Sequence, residues 1–210
     1  MAEDDEHFLR AWKQKASSST WASPNVLGAP KACLQRDAQR PLFWIEEPAA
    51  LEAMCLKLQH EAFVGLDVET TLTTQRMCLM QLATPSATYM VDTLAFSSLS
   101  LLAGFLSSLQ TKKLIHNAPF ETRVLAACGL PLAGVVDTLS LSRRLRGRSI
   151  PGGHALAVVC ERELGRPLDK TEQTSNWQRR PLSRSQVAYA ALDAEVLLKL
   201  WEVFSKEKGF

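Results

Sequence analysis

From Leu42 onward the chain changes between two hydrophobic periods, and the changes mark out its elements. Residues 42–45 suit a short strand. Pro48 then opens an amphipathic helix running to about residue 59, with Leu51, Met54, Leu58 and Cys55 facing inward. Residues 63–69 form an apolar strand that ends polar, and strands at 77–83 and 88–91 follow as in a meander. Helices are predicted at 99–109 and 119–128, and short strands at 113–116 and 135–137. The remainder reads as helices at 139–145, 154–164 and 185–204. Strands interleaved with helices predict an α/β domain with a mixed central sheet flanked by helices and a helical C-terminal part.

Residues 1–40 have weak periodicity, with a serine run at Ser17, Ser18 and Ser19 and breakers at Pro24, Gly28 and Pro30. They are expected to be an irregular extension, with a short helix at residues 8–12, ahead of a domain at 41–210. Trp12 and Trp21 could dock on that domain or on a partner, or belong to a loose tail.

Composition adds little to the fold but narrows the class. The 210 residues are 46% hydrophobic and 22% charged, which suits a globular protein. The net charge of +2 is uninformative, but its distribution is not. Glu3, Asp4, Asp5 and Glu6 form an acidic cluster, whereas residues 143–184 are rich in arginine, including Arg143, Arg144, Arg146 and Arg148. Such a stretch suits a polyanion, or is simply a solvated face. Five scattered cysteines without a CxxC pair read as reduced thiols. No apolar run is long enough to span a membrane, and the acidic start does not resemble a signal or transit peptide. An intracellular protein is expected, cytoplasmic by default, with a nucleus or organelle left open.

Three acidic signals carry the candidate chemistry. In Asp67-Val68-Glu69 both acids point to one side of a strand while Leu66 and Val68 point to the other. Two carboxylates at a strand end repel each other unless cations intervene, and hard oxygen ligands suit Mg2+ or Mn2+. Such a pair can also be an ordinary exposed strand end. In His116-Asn117-Ala118-Pro119-Phe120-Glu121, Asn117 suits a helix N-cap, and Glu121 falls in the first turn, where the dipole favours an anion. Glu121 therefore has either a capping role or a place in the same pocket as Asp67. Ser183 and Gln186 have capping-box spacing, so a helix should start there. Tyr189 and Asp193 then share one helical face.

Taken in order, DVET, HNAPFE and YAALD resemble the three exonuclease motifs of the DEDD superfamily, whose fold is ribonuclease-H-like. The tyrosine four residues before the last aspartate is similar to the DEDDy branch. Leu168-Asp169-Lys170, Ser175-Asn176-Trp177, Arg180-Pro181-Leu182-Ser183 and Val136-Asp137-Thr138 resemble the ribonuclease D signature within that branch. The chain departs from the pattern at Glu121, where aspartate is usual, and at Asn176, which replaces the aspartate of SDW.

The resemblance implies a 3′-5′ exonuclease using two Mg2+ or Mn2+ ions held by Asp67, Glu69, Glu121 and Asp193, with Tyr189 orienting the attacking water. The expected substrate is a single-stranded or frayed 3′ end of RNA, possibly DNA, releasing nucleoside 5′-monophosphates. Thr70, Gln81, His116, Asn117, Lys170, Trp177 and Arg180 are candidate substrate contacts. Leu72 and Met80, with Gln81, are candidate walls of the 3′-end pocket. Trp177 could stack on a base or sit in the core. The rivals are a weak or inactive nucleic-acid-binding module on the same fold, a DNA-directed exonuclease, and an adaptor built on the N-terminal tryptophans.

Overall fold

The computed structural model describes residues 32–208. Strand β1 (Leu42–Ile45) and helix α1 (Pro48–Leu58) lead into β2 (Phe63–Thr70), β3 (Met77–Ala83) and β4 (Thr88–Val91). A 3-10 turn (Thr93–Ala95) and α2 (Leu102–Ser107) follow, then β5 (Lys112–Ile115), α3 (Ala118–Ala127), β6 (Val135–Asp137) and α4 (Thr138–Arg146). Helices α5 (Leu156–Leu164) and α6 (Arg184–Lys208) end the described chain.

The six strands form one mixed sheet in the order β1-β4-β3-β2-β5-β6. Strands β2, β3 and β4 are antiparallel neighbours, as short connections permit, whereas β1 with β4, β2 with β5 and β5 with β6 are parallel. On one face Val64, Leu66, Val68, Met80 and Leu82 form a core with residues of α1, α2 and α3. On the other, Phe63, Ala83 and Leu114 pack against α5 and the long α6. This is the α/β architecture expected from the alternating periods.

Two local features position α6. Its start is a capping box: the Gln186 N–H donates to Ser183 Oγ at 3.1 Å, and the Ser183 N–H donates to Gln186 Oε1 at 2.9 Å. Its middle lies unusually close to β2. A Cβ on Gly65 would sit 2.2 Å from the carbonyl oxygen of Ala194, so only glycine admits this crossing.

The observed elements differ from the expected ones mainly at their ends. Helix α2 is shorter than 99–109, and Leu101 and Leu109, which would have extended it, are exposed. Helix α5 begins at Leu156 rather than at 154, because Ala155 is extended and the His154 ring is committed to Ser142 and Gly147. Helix α6 continues to Lys208.

Residues 32–40, the described part of the expected extension, form no helix or strand and are docked on the domain. Leu34 is buried in the α6 core, and its N–H donates to the Pro167 carbonyl at 2.8 Å. Arg36 Nε donates to Glu195 Oε1 at 2.8 Å, and Arg40 Nε to Thr88 Oγ1 at 3.0 Å. The expected helix at 8–12, and Trp12 and Trp21, lie outside the described residues.

Candidate active site

Strand β2 places the first two acids. Asp67 pairs in register with Gln81 and Glu69 with Leu79, and a bulge between Glu69 and Thr70 then ends the regular pairing. Both acids project toward α6. That helix brings Asp193 to them at the turn where Ala194 rests on Gly65. Carboxylate oxygens of Asp67, Glu69 and Asp193 all lie within 4.8 Å of one another. Tyr189 stands one turn earlier on the same helix.

Glu121 approaches from the first turn of α3 and is only 3% exposed. It is not one of the three-carboxylate group, but the charge of Asp67 is felt there. Its Oε2 is buried without a hydrogen-bond partner.

The electrostatics follow from this crowding. Burial, above all, pushes the Asp67 carboxyl up to about 7. Burial and then the charges of Asp67 and Asp193 push Glu69 up to about 10. Burial and then Asp67 raise Glu121 to about 8. Asp193 is raised well above the ordinary carboxylate range by burial and by Asp67. The Tyr189 phenol is also raised, by burial and by Asp193, so it stays a proton donor at neutral pH. Four acids that resist ionising together, one with an orphaned buried oxygen, would ionise readily only beside positive charge. The donor set is all oxygen and fits hard divalent ions such as Mg2+ or Mn2+.

Asp67, Tyr189 and Asp193 line a cleft of about 390 Å3 together with His116, Asn117, Lys170, Arg143 and His154. The His116 ring is fixed by Thr138 Oγ1 at 2.9 Å and by the His154 carbonyl at 2.8 Å, which its Nε2–H must donate to. His154 is itself held by Ser142 Oγ and the Gly147 carbonyl, and Arg162 donates to the same Ser142 oxygen. This polar chain behind the cleft escapes sequence reading because His154, Ser142 and Thr138 show no spacing that joins them. Only the Val136-Asp137-Thr138 segment hints at it.

Asn117 occupies the N-cap position of α3 but does not cap it with its side chain. Its backbone is left-handed, at φ 74°, and its N–H donates to Asp137 Oδ1 at 3.1 Å. The exposed side chain is thereby left at the cleft rim. Lys170 is exposed on that rim as well.

Other expected substrate contacts have different roles. Trp177 is 2% exposed and packs with Leu79, Met90 and Ala190, its ring 6.1 Å from that of Tyr189. It backs the tyrosine rather than stacking on a base. Arg180 does not offer a free charge to phosphate. Its guanidinium grips Asp92 with two bonds of 2.6 Å and also donates to the carbonyls of Cys78 and Trp177. Gln81 is fully buried beside Asp67, and both its amide atoms lack partners. Met80 faces the opposite core and cannot wall the pocket. Thr70 and Leu72 are not among the residues lining the cleft, and Leu72 is exposed beyond the strand end.

The 3′-5′ exonuclease family matches residues 42–208. A human protein, the exonuclease mut-7 homolog, is 32% identical over 180 residues, which is 71% of this chain but 20% of that protein. The catalytic core of RRP6 from Trypanosoma brucei superposes with a TM-score of 0.74 at 26% identity, over 86% of this chain and 50% of that one. Escherichia coli RNase D, an exoribonuclease involved in structured RNA processing, superposes with a TM-score of 0.68 at 26% identity, over 79% of this chain and 45% of that one. The chain thus spans half or less of the length of these relatives. It belongs to the 3′-5′ exonuclease family.

Proposed function

We propose that this chain removes nucleotides one at a time from the 3′ end of single-stranded or frayed RNA, releasing nucleoside 5′-monophosphates. The observation that carries the proposal is the convergence of Asp67, Glu69 and Asp193 within 4.8 Å at a cleft that also holds Tyr189. Asp67, Glu69 and Asp193 would hold two divalent ions, Mg2+ or Mn2+, with Glu121 completing the set from α3. Those ions supply the positive charge that lets a phosphodiester approach four acids and that makes a water acidic enough to attack it.

The chain's own groups do the rest. The Tyr189 phenol, kept protonated by burial and by Asp193, orients the hydrolytic water. Trp177 stiffens the tyrosine from behind. His116, pinned at both ring nitrogens, gives the cleft a fixed wall, and Asn117 and Lys170 present free polar atoms to the sugar and phosphate of the terminal nucleotide. RNA is favoured over DNA because Escherichia coli RNase D, to which this chain is similar, is an exoribonuclease.

The test compares matched single-stranded RNA and DNA oligonucleotides in Mg2+ and in Mn2+, with wild type beside Asp67→Ala. Cation-dependent shortening from the 3′ end, lost in the variant, is expected. Unchanged shortening by Asp67→Ala sinks the mechanism, and binding without cleavage in either cation favours an inactive binding module.

A further inference from the structure

Helix α4 carries four arginines in and just beyond its last turn, and they divide into two groups. Arg146 turns away from the cleft to Glu163, at 2.7 Å, and to Glu207. It binds α4 to α5 and α6. Arg143, Arg144 and Arg148 do the opposite. All three are exposed, and among the described residues none of them forms an ion pair.

These three line one open surface concavity of about 520 Å3 together with Ser140. The nearest acid in sequence, Asp137, is fully engaged. Its Oδ1 accepts the N–H groups of Asn117 and Leu139, and its Oδ2 accepts the Ser140 hydroxyl at 2.9 Å. Cations at a helix C-terminus can simply complement the helix dipole. That accounts for Arg143, Arg144 and Arg146 as a group, but not for the exclusion of Arg146 from the concavity, nor for Arg148, which lies beyond the helix.

The concavity adjoins the cleft, because Arg143 lines both. A wall of guanidiniums with no ion pair among the described residues, beside a cleft for a 3′-terminal nucleotide, is suited to the phosphates that precede that nucleotide. Guanidinium forks match phosphate oxygens in pairs, and an exposed, uncompensated arginine surrenders little on binding them. We propose that Arg144 and Arg148, with Arg143 at the junction, form a phosphate-binding groove that grips the substrate backbone upstream of the cleaved bond. The groove gives the enzyme a preference for long strands. It rests on the exonuclease reading only for the polarity of the strand; its ligand is a single-stranded polynucleotide.

The experiment uses the full chain with Arg144→Ala/Arg148→Ala, and Arg144→Lys/Arg148→Lys as a charge-retaining control. Binding of labelled single-stranded RNA from two to twelve nucleotides is followed by fluorescence anisotropy in EDTA, where no cleavage can occur. Affinity should rise with length in the wild type. The alanine variant should lose about tenfold or more on the longest strand and almost nothing on the dinucleotide. Its salt dependence should flatten by roughly 1.4 in log–log slope, from two phosphate contacts on a single strand. The lysine variant should recover most of that slope.

Equal loss at all lengths, or no loss at any, overturns the groove. Cleavage of the dinucleotide in Mn2+ is then compared, and it should match the wild type. If the wild type cleaves nothing while the length-dependent binding and its loss are intact, the exonuclease reading fails and the groove stands.

Discussion

On one face of β2, Val64, Leu66 and Val68 are sealed into an apolar core. On the other, Gly65, Asp67 and Glu69 meet a helix that adds Asp193 and Tyr189. The residues alternate along a single strand, so the two faces share a backbone and differ only in what each side chain finds opposite it. The apolar face gains stability from contact. The acidic face concentrates like charge under α6, at a cost to folding that a bound cation would offset. A strand can carry both only because its first face, and the rest of the core, hold it in place.

The sharpest way to break the comparison is Asp67→Asn. Activity on a labelled oligonucleotide should fall by about 10^3-fold or more, as expected for losing several kcal/mol of transition-state stabilisation. The metal-free melting temperature should hold or rise, because one member of a repelling group is gone. Leu66→Ala, one residue away, should behave in the reverse sense. It should cost about 2–5 kcal/mol in denaturant unfolding, while turnover per folded molecule stays within a few-fold of wild type. If Leu66→Ala abolished turnover in fully folded protein, the separation of the two faces would be lost.

Gly65→Ala tests the point where the faces are linked. A Cβ there meets the Ala194 carbonyl, so α6 must move or the strand must bend, at roughly 1–3 kcal/mol. Because Asp193 is the neighbour of Ala194, Mn2+ affinity measured by calorimetry should weaken along with stability.

The acidic face also sets a pH dependence. Its carboxyls sit at about 7 for Asp67, about 8 for Glu121 and about 10 for Glu69 in the fold. In the unfolded chain they fall near 4. Folded values raised above unfolded ones mean that the fold binds extra protons, so the contribution of these groups is fully present below about pH 4 and is lost progressively as pH rises, the loss being complete near pH 7 for Asp67, 8 for Glu121 and 10 for Glu69. In EDTA the melting temperature should drop by about 5 °C or more between pH 5 and pH 9. Mn2+ should bind the deprotonated acids and remove much of the drop at pH 9. Absence of the drop in EDTA would show that the acids are better solvated than their burial implies.

The smallest effect is expected from Glu121→Asp, which keeps the charge and withdraws it by one methylene. A change in rate of only a few-fold is expected there, against a much larger loss in Glu121→Gln.

Much of this site was legible because it is built from local periods. Alternation along a strand puts Asp67 and Glu69 on one side, and a capping box at Ser183 fixes the phase of the helix that carries Tyr189 and Asp193. What was not legible depends on partners far away in sequence. Arg180 reads as a phosphate ligand until Asp92 is found beside it, and Trp177, open between a stacking platform and the core, is decided only when β3, β4 and α6 close around it. Nothing in the Gly65 neighbourhood announces Ala194, although that contact brings the third acid to the first two. Asn117 stands at the expected N-cap position, but its backbone there is left-handed and its side chain makes no capping hydrogen bond.

The docked segment before β1 bears on where this domain can be cut. Glu195 is 4% exposed and lies two residues beyond Asp193. Its charge is met by Arg36 and Arg40, and its Oε1 accepts the Thr88 hydroxyl. A chain trimmed to begin at Pro41, where regular structure starts, would leave this carboxylate buried with its hydroxyl bond but without its two arginine partners. The turn of α6 that supports it is also the turn that delivers Asp193. Trimming there is expected to weaken Mn2+ binding even though every acid of the site is retained, because the turn that loses its arginine support is the one that carries Asp193.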